Sequence, residues 1–213
     1  MIEMIRNEKG TTETVVDWPS FKSSLLIEVF RGSEIFTSSA VLIKRNVLLT
    51  AAHSVFGIDK GYVHLGSKYS NENIRIAFKK IVIHKQYNKS ISNFSNDIAM
   101  IVLDHNMPNN FEPVGFSDNF IESGTKVERL GFGARNGISK RTWTNPVIEN
   151  FQDRHIELID NSSVVGDSGG PIYFNKKLVA IHSTKEGNRT YAVLVSRYRT
   201  WINDHLPIKE VCN

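Results

Sequence analysis

Apolar residues fall along the chain in short bursts, each closed by turn residues. SSLLIEVF (23–30), AVLI (40–43), VLLT (47–50), IRIAFKKIVI (74–83) and IAMIVL (98–103) form a first series. KVERLGF (126–132), HIELI (155–159), LVAIHS (178–183) and YAVLV (191–195) form a second. Runs this short predict strands, and Lys44-Arg45-Asn46 predicts a hairpin turn between two of them. Many short strands at this spacing indicate an all-β barrel or sandwich. One helix is predicted near the end. In SRYRTWINDHLP, Tyr198, Trp201, Ile202 and Leu206 share a face, Arg197 and Arg199 lie on the solvated side, and Pro207 stops the run. The stretch 104–119 has two prolines and no periodicity, and reads as the connection between two β halves.

Composition narrows the class. The 213 residues suffice for one large domain or two small halves. With 40% hydrophobic and 23% charged residues the chain reads as soluble and globular. Its net charge of +4 is scattered, which argues against nucleic acid as a partner. No apolar run approaches membrane-spanning length, so no membrane insertion is expected. Cys212 is the lone cysteine, so no intrachain disulfide can form and packing must hold the fold. The start, MIEMIRNEKG, carries Glu3 and Glu8 and lacks an apolar signal core. Either the chain is not exported or its signal has been replaced by Met1. The N-x-S/T triplets at Asn88, Asn93, Asn161 and Asn188 fit chance in a chain rich in Asn and Ser. No H-E-x-x-H or comparable ligand spacing occurs, and neither metal nor other cofactor is expected.

The candidate chemistry begins at VGDSGGP (165–171). It reads either as a surface turn or as a backbone wrapped around one exposed hydroxyl, that of Ser168. A hydroxyl needs a base. His53 follows the strand and small residues of LLTAA, and Asp97 stands at the mouth of the apolar strand 98–103. Taken singly, His53 reads as a core histidine and Asp97 as a turn cap. Together they supply an imidazole to take the serine proton and a carboxylate to orient that imidazole. Their chain order, His53, Asp97, Ser168, separates this arrangement from the subtilisin and α/β-hydrolase orders.

TAAH, NDIAMI and GDSGGP resemble the three signature segments of the chymotrypsin/trypsin family of serine endopeptidases. Asp17-Trp18-Pro19-Ser20, Leu130-Gly131-Phe132-Gly133 and VSRYRTWI (195–202) resemble further family segments in the same order. The resemblance implies two six-stranded antiparallel β-barrels, spanning 15–108 and 109–213, with a C-terminal α-helix. It implies His53 as general base, Asp97 as its orienting group and Ser168 as nucleophile. The N–H groups of Gly166 and Ser168 would form the oxyanion hole. The substrate would be a polypeptide, and the enzyme a secreted or periplasmic monomer.

Several departures stand out. Aligned from TAAH, the family's usual cysteine pair becomes Ser38 and Ser54, as in compact bacterial members. No calcium is suggested, because 66–73 lacks paired carboxylates. Asp167 would form the activation ion pair with a new amino terminus, yet the chain begins at Met1. Ile5-Arg6-Asn7 is the nearest analogue of an activated start, with Val15 or Val16 next. Ser162, at the base of the specificity pocket, excludes the Asp that would hold Lys or Arg. Ala180-Ile181-His182 resembles the segment by which bacterial glutamyl endopeptidases hold an acidic side chain. Ser163, Ser183 and Lys185 complete that candidate substrate pocket. The alternatives are a large apolar pocket, a restricted apolar pocket with His182 packed in the barrel and Lys185 in solvent, and a catalytically silent homologue that binds.

Overall fold

The computed structural model describes residues 3–6, 12–15, 22–88, 96–119 and 121–207. The expectations for Met1, Val16, Trp18-Pro19-Ser20, Asn93 and Cys212 lie outside the described residues. The strands of the first half are β1 (Glu3–Arg6), β2 (Thr12–Val15), β3 (Ser24–Arg31), β4 (Glu34–Lys44), β5 (Val47–Thr50), β6 (Lys60–His64), β7 (Arg75–Ile83) and β8 (Ala99–Leu103). Those of the second are β9 (Glu128–Gly131), β10 (Ala134–Arg135), β11 (Ile138–Ser139), β12 (Thr142–Thr144), β13 (Val147–Gln152), β14 (His155–Ile159), β15 (Pro171–Phe174), β16 (Lys177–Glu186) and β17 (Arg189–Leu194). A short helix α1 (Ala52–Val55) follows β5, and a 3-10 turn at Val195–Tyr198 runs into α2 (Arg199–His205).

Strands β3 to β8 close into a six-stranded antiparallel barrel in the order β3-β4-β5-β8-β7-β6. The second half is likewise all-β. Its strands β9 and β12 to β17 join the β1–β2 hairpin in a nine-stranded sheet, ordered β1-β2-β12-β9-β15-β16-β17-β14-β13, that curls over its own core. Past β9 the pairing continues through β12 and the β1–β2 hairpin. The far edge, β13, curls back to the segment before β9: Val147 bridges Lys126, Ile148 N donates to the Thr125 carbonyl at 2.9 Å, and Val127 N donates to the Pro146 carbonyl at 2.9 Å.

The densest apolar runs are explained by burial on two faces. In β4 and β5, Ala40, Leu42 and Leu48 point into the barrel, while Val41, Ile43, Val47 and Leu49 point outward. The outward set is not solvated. It packs against Leu130, Tyr173, Ile181, Val193, Tyr198 and Ile202 of the second half. An alternating strand with both faces buried reads as a continuous apolar run. This shared layer locks the halves together. Burying each large aliphatic side chain in it contributes roughly 1.5–3 kcal/mol.

The connection between the halves carries no regular strand, and it is pinned by Met107 and Phe111, which enter the first barrel's core. The C-terminal helix buries Ile202, as its periodicity predicts. Arg197 and Arg199 are not simply solvated: they donate to the Asp153 and Ser117 carbonyls at 2.9 and 2.7 Å.

Candidate active site

His53 is placed by the end of β5. Ala51 and Ala52 are fully buried, and their small side chains let α1 turn tightly against the barrel. The imidazole remains half-exposed, while the Asp97 carboxylate is buried beside it. His53 Nδ1 lies 2.7 Å from Asp97 Oδ2, and the His53 backbone N–H donates to Oδ1 at 2.8 Å. Ser183 Oγ also donates to Oδ2, at 2.5 Å. Burial alone would push the Asp97 carboxyl up. The hydrogen bonds and charge of His53 and the Ser183 hydroxyl outweigh it, so the group is held below its ordinary range. Asp97 is therefore a charged acceptor that fixes which His53 nitrogen carries a proton.

Ser168 comes from the loop before β15, and the middle of β4 anchors that loop. The Ser168 carbonyl accepts from Ser39 N at 2.9 Å and from Ser38 Oγ at 2.8 Å. Ser38 Oγ is also 2.8 Å from Ser54 Oγ, so a hydroxyl pair occupies the place where the resemblance implies a cysteine bridge. Ser39 Oγ donates to the Gly166 carbonyl at 2.7 Å. This approach requires glycine. A Cβ on Gly169 (φ +82°) would stand 2.1 Å from the Ser39 carbonyl oxygen.

The same anchoring directs the candidate oxyanion donors. The Val165 carbonyl accepts from Ala134 N at 3.0 Å, and the Asp167 carbonyl accepts from Gly170 N at 3.0 Å. In a planar trans peptide the N–H points opposite to the C=O. The Gly166 N–H is thus turned away from Ala134, and the Ser168 N–H away from Gly170. Gly166 and Ser168 line a cleft of about 180 Å³ together with His53, Ser54, Val29 and Phe36. The Ser168 hydroxyl donates to the Ser183 carbonyl at 3.1 Å.

Asp167 is fully buried and is partnered inside the chain. Its Oδ2 lies 3.2 Å from Arg129 Nη1 and 3.0 Å from Arg135 Nη2. Backbone N–H groups of Gly133 and Val164 add bonds of 2.8 and 3.0 Å. Burial pushes the carboxyl up, but the two guanidinium charges dominate and hold it well below the usual range. The ion pair implied for an activated amino terminus is made here by arginines of β9 and β10. Ile5 lies in β1, where its backbone pairs with Glu13 of β2.

The pocket residues are tied to one another. Ser162 Oγ donates to Asp160 Oδ1 at 2.6 Å and accepts from Arg129 Nη2 at 2.8 Å. Arg129 Nε also bonds Asp160 Oδ2, at 2.5 Å. Ser163 Oγ is 2.7 Å from His182 Nε2. His182 is buried, and desolvation, reinforced by the Arg129 charge, pushes it down from 6.5 to about 4, which keeps it neutral. Lys185 is exposed, and its Nζ donates to the Asn161 and Ser163 carbonyls at 2.6 and 3.1 Å. Ser183 spends its hydroxyl on Asp97 and its carbonyl on Ser168, so it belongs beside His53, Asp97 and Ser168.

Sequence reasoning missed Arg129, Arg135 and Asp160. The available signal was an arginine inside the apolar run KVERLGF, a charge that must find a partner if its face turns inward. Among the described residues no cluster of side chains suits a metal ion, and no helix is long and apolar enough to cross a membrane.

Comparison with known proteins agrees with this architecture. The chain is 25% identical over 179 residues to serine protease SP24D of Anopheles gambiae, covering 73% of this chain and 64% of that one. It is 26% identical over 209 residues to chymotrypsin of Phaedon cochleariae, covering 82% and 74%. Among solved structures, HL collagenase superposes with a TM-score of 0.81 at 20% identity, covering 92% and 97%. The scabies mite inactivated protease paralogue S-I1 superposes at 0.77 and 15% identity, covering 89% and 96%. The all-β fold is therefore chymotrypsin-like. The Trypsin family model matches residues 22–202, and the chain belongs to that family of serine proteases.

Proposed function

We propose that the protein is a serine endopeptidase that cuts polypeptides through an acyl-enzyme. Ser168 is the nucleophile, His53 the base and then the acid, and Asp97 the group that orients His53. The observation that carries this reading is the 2.7 Å contact between His53 Nδ1 and a buried, charged Asp97. A proton held at Nδ1 leaves Nε2 free to accept another. On substrate binding the Ser168 hydroxyl leaves the Ser183 carbonyl and turns to Nε2, a rearrangement in line with the loose geometry of unliganded sites. Oγ then bonds the scissile carbon as its proton passes to His53. The developing oxyanion accepts from Gly166 N–H and Ser168 N–H. When the C–N bond breaks, His53 returns the proton to the leaving amine. Water repeats the sequence to release the acid product.

For the residue preceding the cut, we propose an acidic side chain. Lys185 supplies a cation at the pocket wall, and the Ser163–His182 pair supplies polar groups beside it. A second reading rests on the same lysine. With its ammonium bonded to the Asn161 and Ser163 carbonyls, it narrows the pocket and favours either a restricted apolar specificity or a silent homologue that only binds. The fold tolerates such a loss, as the mite relative's description as an inactivated paralogue attests.

A fluorophosphonate probe tests the chemistry. It should label the wild type at Ser168 and leave Ser168→Ala unlabelled, with peptide hydrolysis falling by about 10⁴-fold or more. Wild-type protein that never labels would establish the binding reading. A peptide library varied at the residue before the cut then decides specificity. A Glu preference that disappears in His182→Ala supports the acidic pocket, while preference for Phe or Leu refutes it.

A further inference from the structure

We propose that Asn96, Tyr198 and Arg154 form a strut by which the second half holds Asp97 in its productive direction. This rests on the triad reading above and assigns positioning residues to it. Asn96 adopts φ +63°, the left-handed region that few residues other than glycine enter and that asparagine tolerates. Its carbonyl accepts from Ile98 N at 2.8 Å, closing a three-residue turn centred on Asp97. The direction of the Asp97 side chain thus follows from where Asn96 is held.

Asn96 is held from across the molecule. Its N–H donates to Tyr198 Oη at 2.9 Å, and Tyr198 donates back to Asn96 Oδ1 at 3.2 Å. Arg154 Nη1, from the turn between β13 and β14, donates to the same Oδ1 at 2.9 Å. Neither anchor is loose. Tyr198 is buried in the layer joining the halves, with its ring 5.2 Å from that of His84 in an edge contact. The Arg154 guanidinium lies 5.8 Å over the Tyr198 ring, and its backbone carbonyl accepts from Leu194 N at 2.9 Å. His53 and Asp97 both belong to the first half, so contact between them would not need the second. The strut makes the acid's orientation depend on the half that carries Ser168.

None of the three side chains touches the cleft, so loss of the strut should lower kcat and spare KM. Tyr198→Phe removes the hydroxyl and keeps the ring. Asn96→Gly keeps the left-handed turn and removes the acceptor. Asn96→Asp keeps the acceptor and serves as the conservative control. The expected result is a drop of about tenfold in kcat for the first two variants, with KM within about twofold, since each loses hydrogen bonds of modest net strength. The low-field proton resonance of the His53 Nδ1–H bond to Asp97 should broaden or vanish in both and persist in Asn96→Asp. A merely structural role would leave that resonance intact in folded protein. Unchanged kcat and an unchanged resonance in both Tyr198→Phe and Asn96→Gly would overturn the proposal. If the wild type fails to label at Ser168, the peptidase reading fails instead. The resonance alone then decides the strut, which stands if the signal is lost in the two variants and falls if it survives.

Discussion

The two halves reach stability by different means. The first closes its barrel around an apolar interior of Leu25, Ile27, Leu42, Leu48, Val63 and Ile101. Of its buried acids, Glu28 is pushed up by burial but held low by donors from Tyr69, Arg75 and His64, and Asp97 is held by His53 and Ser183. The second half buries Arg129, Arg141, Asp160, Asp167 and His182. The reason lies in what each half must present. His53 and Asp97 stand at the ends of paired strands, whose backbone groups are already satisfied. The segment 162–170 is a loop, and in the proposed function it keeps N–H groups open toward the cleft, which strand pairing would occupy. Charged groups fix it instead, and a closed ion-pair network is more directional than apolar packing.

The most severe way to break this contrast is Arg129→Met. It removes the guanidinium shared by Asp160, Ser162 and Asp167, leaving two buried carboxylates short of a partner. Truncating one side of a buried pair costs about 3–5 kcal/mol. The urea midpoint should fall accordingly, and hydrolysis should fall with it as the loop around Gly166 loosens. A loss under about 1 kcal/mol would mean that the second half rests on apolar packing as the first does.

How much of this was legible in the sequence depended on whether a residue's face could be inferred. AVLI, VLLT and IAMIVL were readable as strands because both their faces are buried. β15 escaped notice because it opens on Pro171 directly after the glycines, and β6 because KGYVH lacks a sustained apolar run. The extension of the second sheet was hidden for a similar reason: the β1–β2 pairing that adds to it lies in the polar start of the chain. TAAH and GDSGGP marked segments that line the cleft, and NDIAMI the segment whose Asp97 bonds His53. The substitution of Ser38 and Ser54 for a cysteine pair was likewise readable from alignment, and the two hydroxyls do meet. The guanidinium anchors were not readable. An arginine in a strand points inward or outward according to register, and register is set by partners that the local sequence does not name.

A smaller effect is read through pH. His182 in the second half has a folded value of about 4 against an ordinary 6.5. Between those values the unfolded chain binds a proton that the folded chain refuses, so stability rises with pH across this window. Acidifying from pH 6.5 to 4 should therefore cost up to about 3 kcal/mol at this one site. Asp160 and Asp167, both held low, add their loss only below the ordinary carboxylate value of 3.8. His182→Asn should flatten the melting-temperature curve between pH 6.5 and 4. If mutant and wild-type curves run parallel, the imidazole is not being kept neutral by burial.

The smallest effect probes the joint, where the first half's packing meets the second half's loop. Ser39 is fully buried midway along β4 and bonds that loop through both its backbone N–H and its hydroxyl. Its hydroxyl donates to the Gly166 carbonyl and accepts from Phe132 N at 2.8 Å, while its own carbonyl accepts from Thr50 Oγ1 at 2.7 Å. Ser39→Ala changes almost no volume and keeps the backbone bond from Ser39 N to the Ser168 carbonyl. It strands one buried acceptor and one buried donor, at a cost of about 1–3 kcal/mol. The same change frees the Gly166 peptide, so kcat should fall more than stability implies, with KM nearly unchanged. Comparison with Ile101→Val makes the point specific. That change trims the first barrel's core by one methylene at a cost of about 1 kcal/mol, and should leave kcat alone. If Ser39→Ala and Ile101→Val lower stability without either touching kcat, then the first barrel supports the loop only as a scaffold and does not direct the groups that face the cleft.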